Sequence, residues 1–359
     1  MILDPLMEEL IRQDGSDLYL KSDTIPCVRV NGKVQPLEAA RLTAKDLESI
    51  ARSLIREDRW PIFVRDCEFN MAFTSATGSR FRVNLYVQRG DVAIVFRRVK
   101  LEIPSIDELG LPIQLKELAQ SPRGLVIITG PTGSGKSTTQ ASMIDHRNST
   151  QSGHIITIED PVEFVYTDKQ SIVSQREVGI DTLTFENALK NALRQAPDVI
   201  SVGEIRDLET AVTALIMAET GHLVLATLHA SNTYQSLERL VSLFTADREK
   251  QLLFVLSLNL KAIISQRLIP RTDGAGRVAA TELLLNIPRV KDLIRLNQIG
   301  EIKDVLRRGE EEGIHSFDQS VSALFEQGII SEQDALLFAD SQGEMRMKMK
   351  GFNGVLHHV

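Results

Sequence analysis

The octet Gly130-Pro131-Thr132-Gly133-Ser134-Gly135-Lys136-Ser137 limits what this chain can be more than any other feature. It follows the apolar run 125–128 directly and leads into a stretch of helical character. A strand that ends in a glycine loop and restarts as a helix aims several backbone N–H groups, and the positive end of the helix dipole, at one point. Only an anion suits that point. Gly130, Gly133 and Gly135 permit dihedrals that a Cβ forbids, Lys136 has the reach for β and γ phosphates, and the Ser137 hydroxyl is a ligand type for Mg²⁺. The order G-x-x-x-x-G-K-S is the P-loop pattern, so a nucleoside triphosphate is the expected ligand. Pro131, Thr132, Ser134 and Thr138 complete the nucleotide-binding set.

With 359 residues, 43% of them hydrophobic, the chain has material for two ordinary cores. A net charge of −7 repels polyanions, and 5% aromatics offer few stacking platforms, so no nucleic-acid partner is expected. Cys27 and Cys67 are the only cysteines and form no CxxC pair, which argues against a disulfide framework and a thiolate zinc site. The reducing cytosol is the natural home. No apolar run approaches the ~20 residues that span a bilayer, and the start Met-Ile-Leu-Asp-Pro lacks the basic segment of a signal peptide. The chain reads as soluble and unexported.

Residues 1–100 read as a small mixed domain. A short helix with Leu3, Leu6, Met7, Leu10 and Ile11 on one face opens it, and strands are predicted at 17–20, 27–30, 67–73, 80–88 and 92–99. Asn31-Gly32 signals a tight turn. Residues 101–112, with two prolines and little periodicity, are the expected linker. From Gly124 onward apolar runs alternate with helical patterns, which predicts βαβ units and a largely parallel sheet over an α/β core at 113–270. Thr184 is the expected cap of a helix bearing Phe185, Ala188, Leu189, Ala192 and Leu193, and buried strands are predicted at 199–202 and 223–228. Beyond Asp247 the pattern turns mostly helical; 271–340 is expected to be a mainly helical C-terminal region and 341–359 a solvated, flexible tail.

Ligands on such a sheet sit outside the carboxyl ends of the strands. Three of those places are polar here: 159–163 with Glu159, Asp160 and Glu163; 203–207 with Gly203, Glu204, Arg206 and Asp207; and His229. Transfer of a phosphoryl group to water needs Mg²⁺ held by hydroxyl and carboxylate, a group that orients or deprotonates the water, and cations against the developing charge. Each type is present. Glu159, Asp160 and Asp207 could equally be helix caps, and His222 and His229, which bracket one strand, could be structural or could sense the γ phosphate. Arg80, Arg82, Arg97 and Arg98 read either as a solvated edge or as a source of an arginine finger in trans.

Residues 130–138, the run 156–164 (Ile-Thr-Ile-Glu-Asp-Pro-Val-Glu-Phe), 198–207 and 222–229 resemble, in order, the Walker A, aspartate, Walker B and histidine boxes of the secretion-superfamily hexameric ATPases. Gly15-Ser16-Asp17-Leu18, Arg277-Val278-Ala279-Ala280 and the helix 290–295 extend the likeness over nearly the whole chain, to the type IV pilus retraction group of PilT and PilU. Pilus-assembly and type II secretion relatives carry a four-cysteine zinc module that this chain lacks. The resemblance implies a PAS-like α+β N-terminal domain, a RecA-like P-loop core and a homohexameric ring hydrolysing ATP with Mg²⁺. It also implies roles: Glu163 as general base, Glu204 as the carboxylate near Mg²⁺, directly or through water, and His229 as a phosphate-side contact. Arg82 and Arg97 would come from a neighbouring N-terminal domain. The expected place is the cytoplasmic face of the inner membrane, against a pilus platform protein. Ile205, the wording of 290–295 and the longer tail lean toward the PilU-like accessory subtype, which implies a second retraction ATPase as partner. A type II secretion or pilus-extension ATPase, a RecA-like nucleic-acid translocase and a ring adaptor that binds ATP without hydrolysing it are the alternatives.

Overall fold

The computed structural model describes residues 3–30, 32–99, 102–309 and 313–356. Asn31 of the expected turn, the start of the expected linker and the last three residues of the tail lie outside them. The chain forms two compact units, Met1–Glu102 with Glu163–Val165, and Ile103–Val162 with Tyr166–Val359.

The first unit is built on six antiparallel strands: β1 (Asp17–Leu20), β2 (Cys27–Val30), β3 (Lys33–Pro36), β4 (Glu68–Thr74), β5 (Arg80–Gln88) and β6 (Asp91–Arg98), in the order β3-β2-β1-β6-β5-β4. In β5, Phe81, Val83 and Leu85 are buried while the residues between them are half-exposed, the alternation of a strand covered on one face. The cover comes from helices. Leu3–Arg12 buries Leu3, Leu6, Met7 and Leu10, and Ala44–Leu54 buries Leu47, Ile50, Ala51 and Leu54. Thr43 starts the second of these with a capping box, accepting from the Asp46 amide while the Asp46 carboxylate accepts from the Thr43 amide.

The second unit carries β7 (Gly124–Thr129), β8 (Gly153–Glu159), β9 (Ser171–Glu177), β10 (Val199–Val202), β11 (Leu223–Leu228), β12 (Leu260–Pro270) and β13 (Arg277–Leu285), in the order β13-β12-β7-β11-β10-β8-β9. All neighbours are parallel except β12 and β13. Every residue of β7, β10 and β11 is buried. Alternate residues serve opposite faces: Leu125, Ile127, Ile200, Val202, Val224 and Ala226 pack in one cluster, Val126, Ile128, Val199, Leu223 and Leu225 in another. A sheet covered on both sides leaves its strand ends as the one place for polar chemistry.

Three expectations shift. Residues 103–112 are part of the second unit, where Ile106 and Leu111 are buried beneath the sheet, so the boundary falls at 102/103 instead of spanning 101–112. The region after Asp247 is mostly helical, from Glu249–Asn259 to Gln342–Leu356, but it also holds β12 and β13, a long antiparallel pair that completes the core sheet and was not expected. Both strands bury residues on both faces, so neither shows the alternation that separates strand from buried helix. Finally, Gln342–Leu356 is a helix with Met345 and Met349 buried against Phe317 and Val321, so over 342–349 the tail is packed on one face and solvated on the other.

Candidate functional site

The loop after β7 is shaped by contacts that leave no room for side chains. A Cβ on Gly130 would lie 2.5 Å from both the Gln266 carbonyl oxygen and the Ser134 Oγ, and one on Gly135 would lie 2.6 Å from the Gln266 Nε2. Both residues also have positive φ, 147° and 91°. The helix Lys136–Thr150 begins at once, so the loop amides converge at a helix N-terminus. Gln266, from the middle of β12, fastens this turn: its Nε2 donates to the Ser134 carbonyl at 2.6 Å and its Oε1 accepts from the Thr139 hydroxyl at 2.7 Å. Gln140, one residue on, donates to the carbonyls of Val202 and Leu225 at 3.2 and 3.1 Å, tying the helix to β10 and β11. Neither glutamine was foreseen. The signal was an uncharged polar residue interrupting an apolar segment, and for Gln266 it was hidden by the helical reading of that region.

Lys136 is buried, its Nζ donating to the carbonyls of Gly130 at 2.9 Å and Pro131 at 3.0 Å. Its ammonium thus lies over the same loop whose amides converge. The Ser134 Oγ is buried without a hydrogen-bond partner. An unpaired buried hydroxyl costs about 1–3 kcal/mol and calls for a partner that the protein itself does not supply. A cradle that a Cβ would fill, an orphan hydroxyl and a lysine over the loop fit a phosphate chain. Alongside, Gly135, Thr138 and Thr139 border a cavity of about 1040 Å³ whose other walls include Leu111, Leu268 and Arg277.

At the carboxyl end of β10, Glu204 has both oxygens engaged: Oε2 accepts from the Arg206 Nε at 2.6 Å and Oε1 lies 3.1 Å from the His229 Nε2. Glu204 is mostly buried, whereas Arg206 and His229 are half-exposed. The hydrogen bond to Glu204 holds the Arg206 guanidinium above its ordinary pKa. The two strand ends that sequence reading singled out, after β10 and after β11, therefore meet. His222 separates from its companion: it sits at the opposite end of β11 with Nδ1 against the Met217 carbonyl, a structural role. Asp207 is the helix cap that was its alternative, accepting from the Thr210 amide at 2.8 Å. Asp160 faces Arg206 at 3.6 Å, and Glu159 accepts from Thr157 at 2.7 Å.

Among the described residues no cluster of three or more His, Cys, Asp or Glu could hold a metal unaided. That fits Mg²⁺, which takes one or two protein oxygens and completes its octahedron with phosphate and water. The Ser137 hydroxyl and Glu204 are the donors on offer. With one Glu204 oxygen accepting from Arg206 and the other beside His229, a contact through water leaves both neighbours in place.

In the first unit the register aligns Arg29, Asp17, Arg97 and Arg82 across β2, β1, β6 and β5 in a single row. Asp17 is buried and accepts from the Arg97 Nε at 2.8 Å, with the Arg29 Nε at 3.4 Å. The bond to Asp17 raises the Arg97 pKa, and the charge of Glu163, which belongs to this unit, adds a little. Arg98 pairs with Asp14 at 2.8 Å. Two of the four arginines read as a possible solvated edge, Arg82 and Arg97, share this row with Arg29 and one carboxylate.

Residues 1–337 match the family described as type II/IV secretion system protein. The chain is 46% identical over 350 residues to the type IV pilus ATPase PilU of Pseudomonas aeruginosa, covering 98% of this chain and 92% of that protein. It is 39% identical to the type IV pilus retractation ATPase PilT of the same organism, covering 93% and 97% of the two chains. Among solved structures, the pilus retraction motor PilT with bound ADP superposes with a TM-score of 0.89 at 42% identity, covering 95% of this chain and 98% of that one. The ATPase DotB of Legionella pneumophila follows at 0.80 and 29%, covering 93% and 94%.

Proposed function

Because this chain is a P-loop ATPase of the type II/IV secretion system protein family, we propose that it powers the retraction of a type IV pilus. The observation that carries this reading is the extent of the likeness: 46% identity to a pilus ATPase covers the first unit as fully as the P-loop unit. Type II secretion relatives match either at 40% over 53% of the chain or at 31% over 75% of it, in both cases with less coverage and lower identity.

In this reading the chain works as a homohexamer at the cytoplasmic face of the inner membrane, against a platform protein of the pilus machine. No helix of the described residues is long and apolar enough to cross a membrane. Likeness to PilU over PilT favours the accessory subtype, acting beside a second retraction ATPase.

ATP lies with its phosphates over the turn around Gly133 and its nucleoside in the cavity beside Thr138. Bound Mg²⁺ would screen the phosphate charge during transfer. Lys136 leaves the Gly130 and Pro131 carbonyls for the phosphates, a swap of neutral acceptors for charged ones that favours binding. Ser137 and Glu204 are the oxygens for the metal. Glu163 takes the proton of the attacking water, His229 reports the γ phosphate to Glu204, and Arg82 and Arg97 of a neighbouring subunit meet the charge that develops in transfer.

Phosphate release by the purified ring is the direct test. Lys136→Ala and Glu204→Ala should each lower turnover by at least about 100-fold, as loss of a group aimed at transition-state charge does. In cells lacking the protein, pilus retraction should be impaired and should return with the wild type but not with either variant. Turnover at the wild-type rate in both variants would remove the site; normal retraction in the deletion strain, with the partner ATPase present or absent, would remove the pilus.

A further inference from the structure

The loop after β11 is pinned from four sides, and one of the pins reaches into the C-terminal helices. The Ala230 carbonyl accepts from the hydroxyl of Thr129, the last residue of β7 before the P-loop, at 3.2 Å. The Ser231 carbonyl receives Ser265 at 3.3 Å and the Arg267 Nη2 at 3.5 Å, both from β12. Glu282 of β13, almost fully buried, accepts from the amide and the hydroxyl of Thr233 at 2.8 Å each, where the helix Thr233–Ser242 begins. His229, which meets Glu204, stands at the head of this loop.

Arg267 is the branch point. Its guanidinium lies 3.9 Å from the centroid of the Phe317 ring, and it donates to the Phe338 carbonyl and to the Asp340 Oδ1 at 2.7 Å each. Asp318, beside Phe317, accepts from the amides of Asp340 and Ser341 at 2.7 and 3.1 Å. One side chain therefore joins the start of the helix Phe317–Glu326, the end of Glu332–Phe338 and the start of Gln342–Leu356. It also borders, with residues 131–134 of the P-loop, a cavity of about 350 Å³. A planar fork stacked on an aromatic ring and bonded to two acceptors has a single geometry, which a lysine does not reproduce.

We infer that Arg267 is a positioning residue through which the C-terminal helices set the loop 229–233, and so the rate of hydrolysis at the P-loop. Movement of the segment 338–340 draws Arg267 off the Ser231 carbonyl, and that loop carries His229. Burial holds Glu282 above its ordinary pKa, against the hydrogen bonds from Thr233 that favour its charged form. A partner or a neighbouring subunit that grips the last helices would thereby slow or quicken ATP turnover without touching the nucleotide. The inference rests on hydrolysis at the P-loop.

Steady-state ATPase assays on the full-length ring test it, with wild type, Arg267→Lys, Arg267→Ala, Asp340→Ala, the double alanine variant and Lys136→Ala as the zero. Asp340→Ala, remote from the nucleotide, should lower kcat about threefold to tenfold with KM for ATP within about twofold, an unaltered ring and an unaltered thermal midpoint. Arg267→Lys should fall as far, because charge without the fork does not hold the loop. The double variant should be no slower than Arg267→Ala, since both changes cut one connection. Wild-type kcat in Asp340→Ala, or losses that multiply in the double variant, would overturn the coupling and leave hydrolysis standing. Wild type releasing no more phosphate than Lys136→Ala would overturn both. Should Arg267→Ala fail to fold, Arg267→Lys, singly and combined with Asp340→Ala, decides the same question.

Discussion

In β5 the buried residues alternate, whereas in β10 and β11 none is exposed. The first unit's sheet keeps one face open and can carry charge within its strands, as the row Arg29, Asp17, Arg97 and Arg82 does. The second unit's sheet, covered on both faces, sets the groups nearest the P-loop at strand ends: the P-loop itself after β7, Glu204 after β10, His229 after β11. In the proposed reading, one arrangement is the surface that a neighbouring subunit offers and the other the pocket that holds the nucleotide.

The largest effect should come from breaking the open face. If the row of arginines serves the transition state of a neighbour, Arg82→Ala will lower kcat of the ring by about 10³-fold, the usual cost of losing an arginine finger, while each subunit still binds ATP. A solvated arginine would leave kcat untouched. Arg97→Ala should do more than Arg82→Ala: besides slowing turnover it strips the buried Asp17 of its closer cation, with only the longer contact to Arg29 remaining, at about 1–3 kcal/mol of first-unit stability. Denaturant melts of the two variants, read beside their rates, separate a purely kinetic arginine from one that also holds the sheet.

The covered face should answer to packing instead. Ile200→Ala removes a side chain with no solvent exposure and should cost about 2–4 kcal/mol, while Val87→Ala, on the open end of β5 at 39% exposure, should cost under about 0.5 kcal/mol. Equal costs by urea unfolding would mean that the two sheets are not built differently after all.

That contrast also explains what could be read in advance. The strands at 80–88, 199–202 and 223–228 are as expected, because alternation in the first and unbroken apolar runs between helices in the others each point to one structure. Glu204 and His229 were recognisable as strand-end groups, and the structure brings them to 3.1 Å. Gln266 and Arg267 were not, because β12 buries residues on both faces over eleven positions and its polar members break no recognisable pattern. Gln266 matters through the backbone it fastens and Arg267 through contacts with residues some 70 positions away. Asp17 belongs to the motif Gly15-Ser16-Asp17-Leu18, but its place as counter-charge depends on the register of β1 with β6, which no local pattern encodes.

The smallest expected effect concerns mild acid, and it too should fall on one unit only. His315 pairs with Leu283 of β13 through both backbone groups, extending the covered sheet, and its Nε2 lies 2.9 Å from the Thr281 hydroxyl. Burial holds its pKa below the ordinary value near 6.5. The unfolded chain therefore binds the proton more readily than the folded one, so this contribution to stability is complete above pH 6.5 and is lost as the pH falls toward the folded pKa. His315→Gln keeps a hydrogen-bonding side chain but cannot charge. Between pH 7.5 and 5.5 the variant's second unit should lose less thermal stability than the wild type's, by no more than about 2 °C, with the first unit's melting unaffected. Identical pH profiles for variant and wild type would show that the histidine stays neutral at no cost, and that the covered sheet is no more sensitive to a buried charge than the open one.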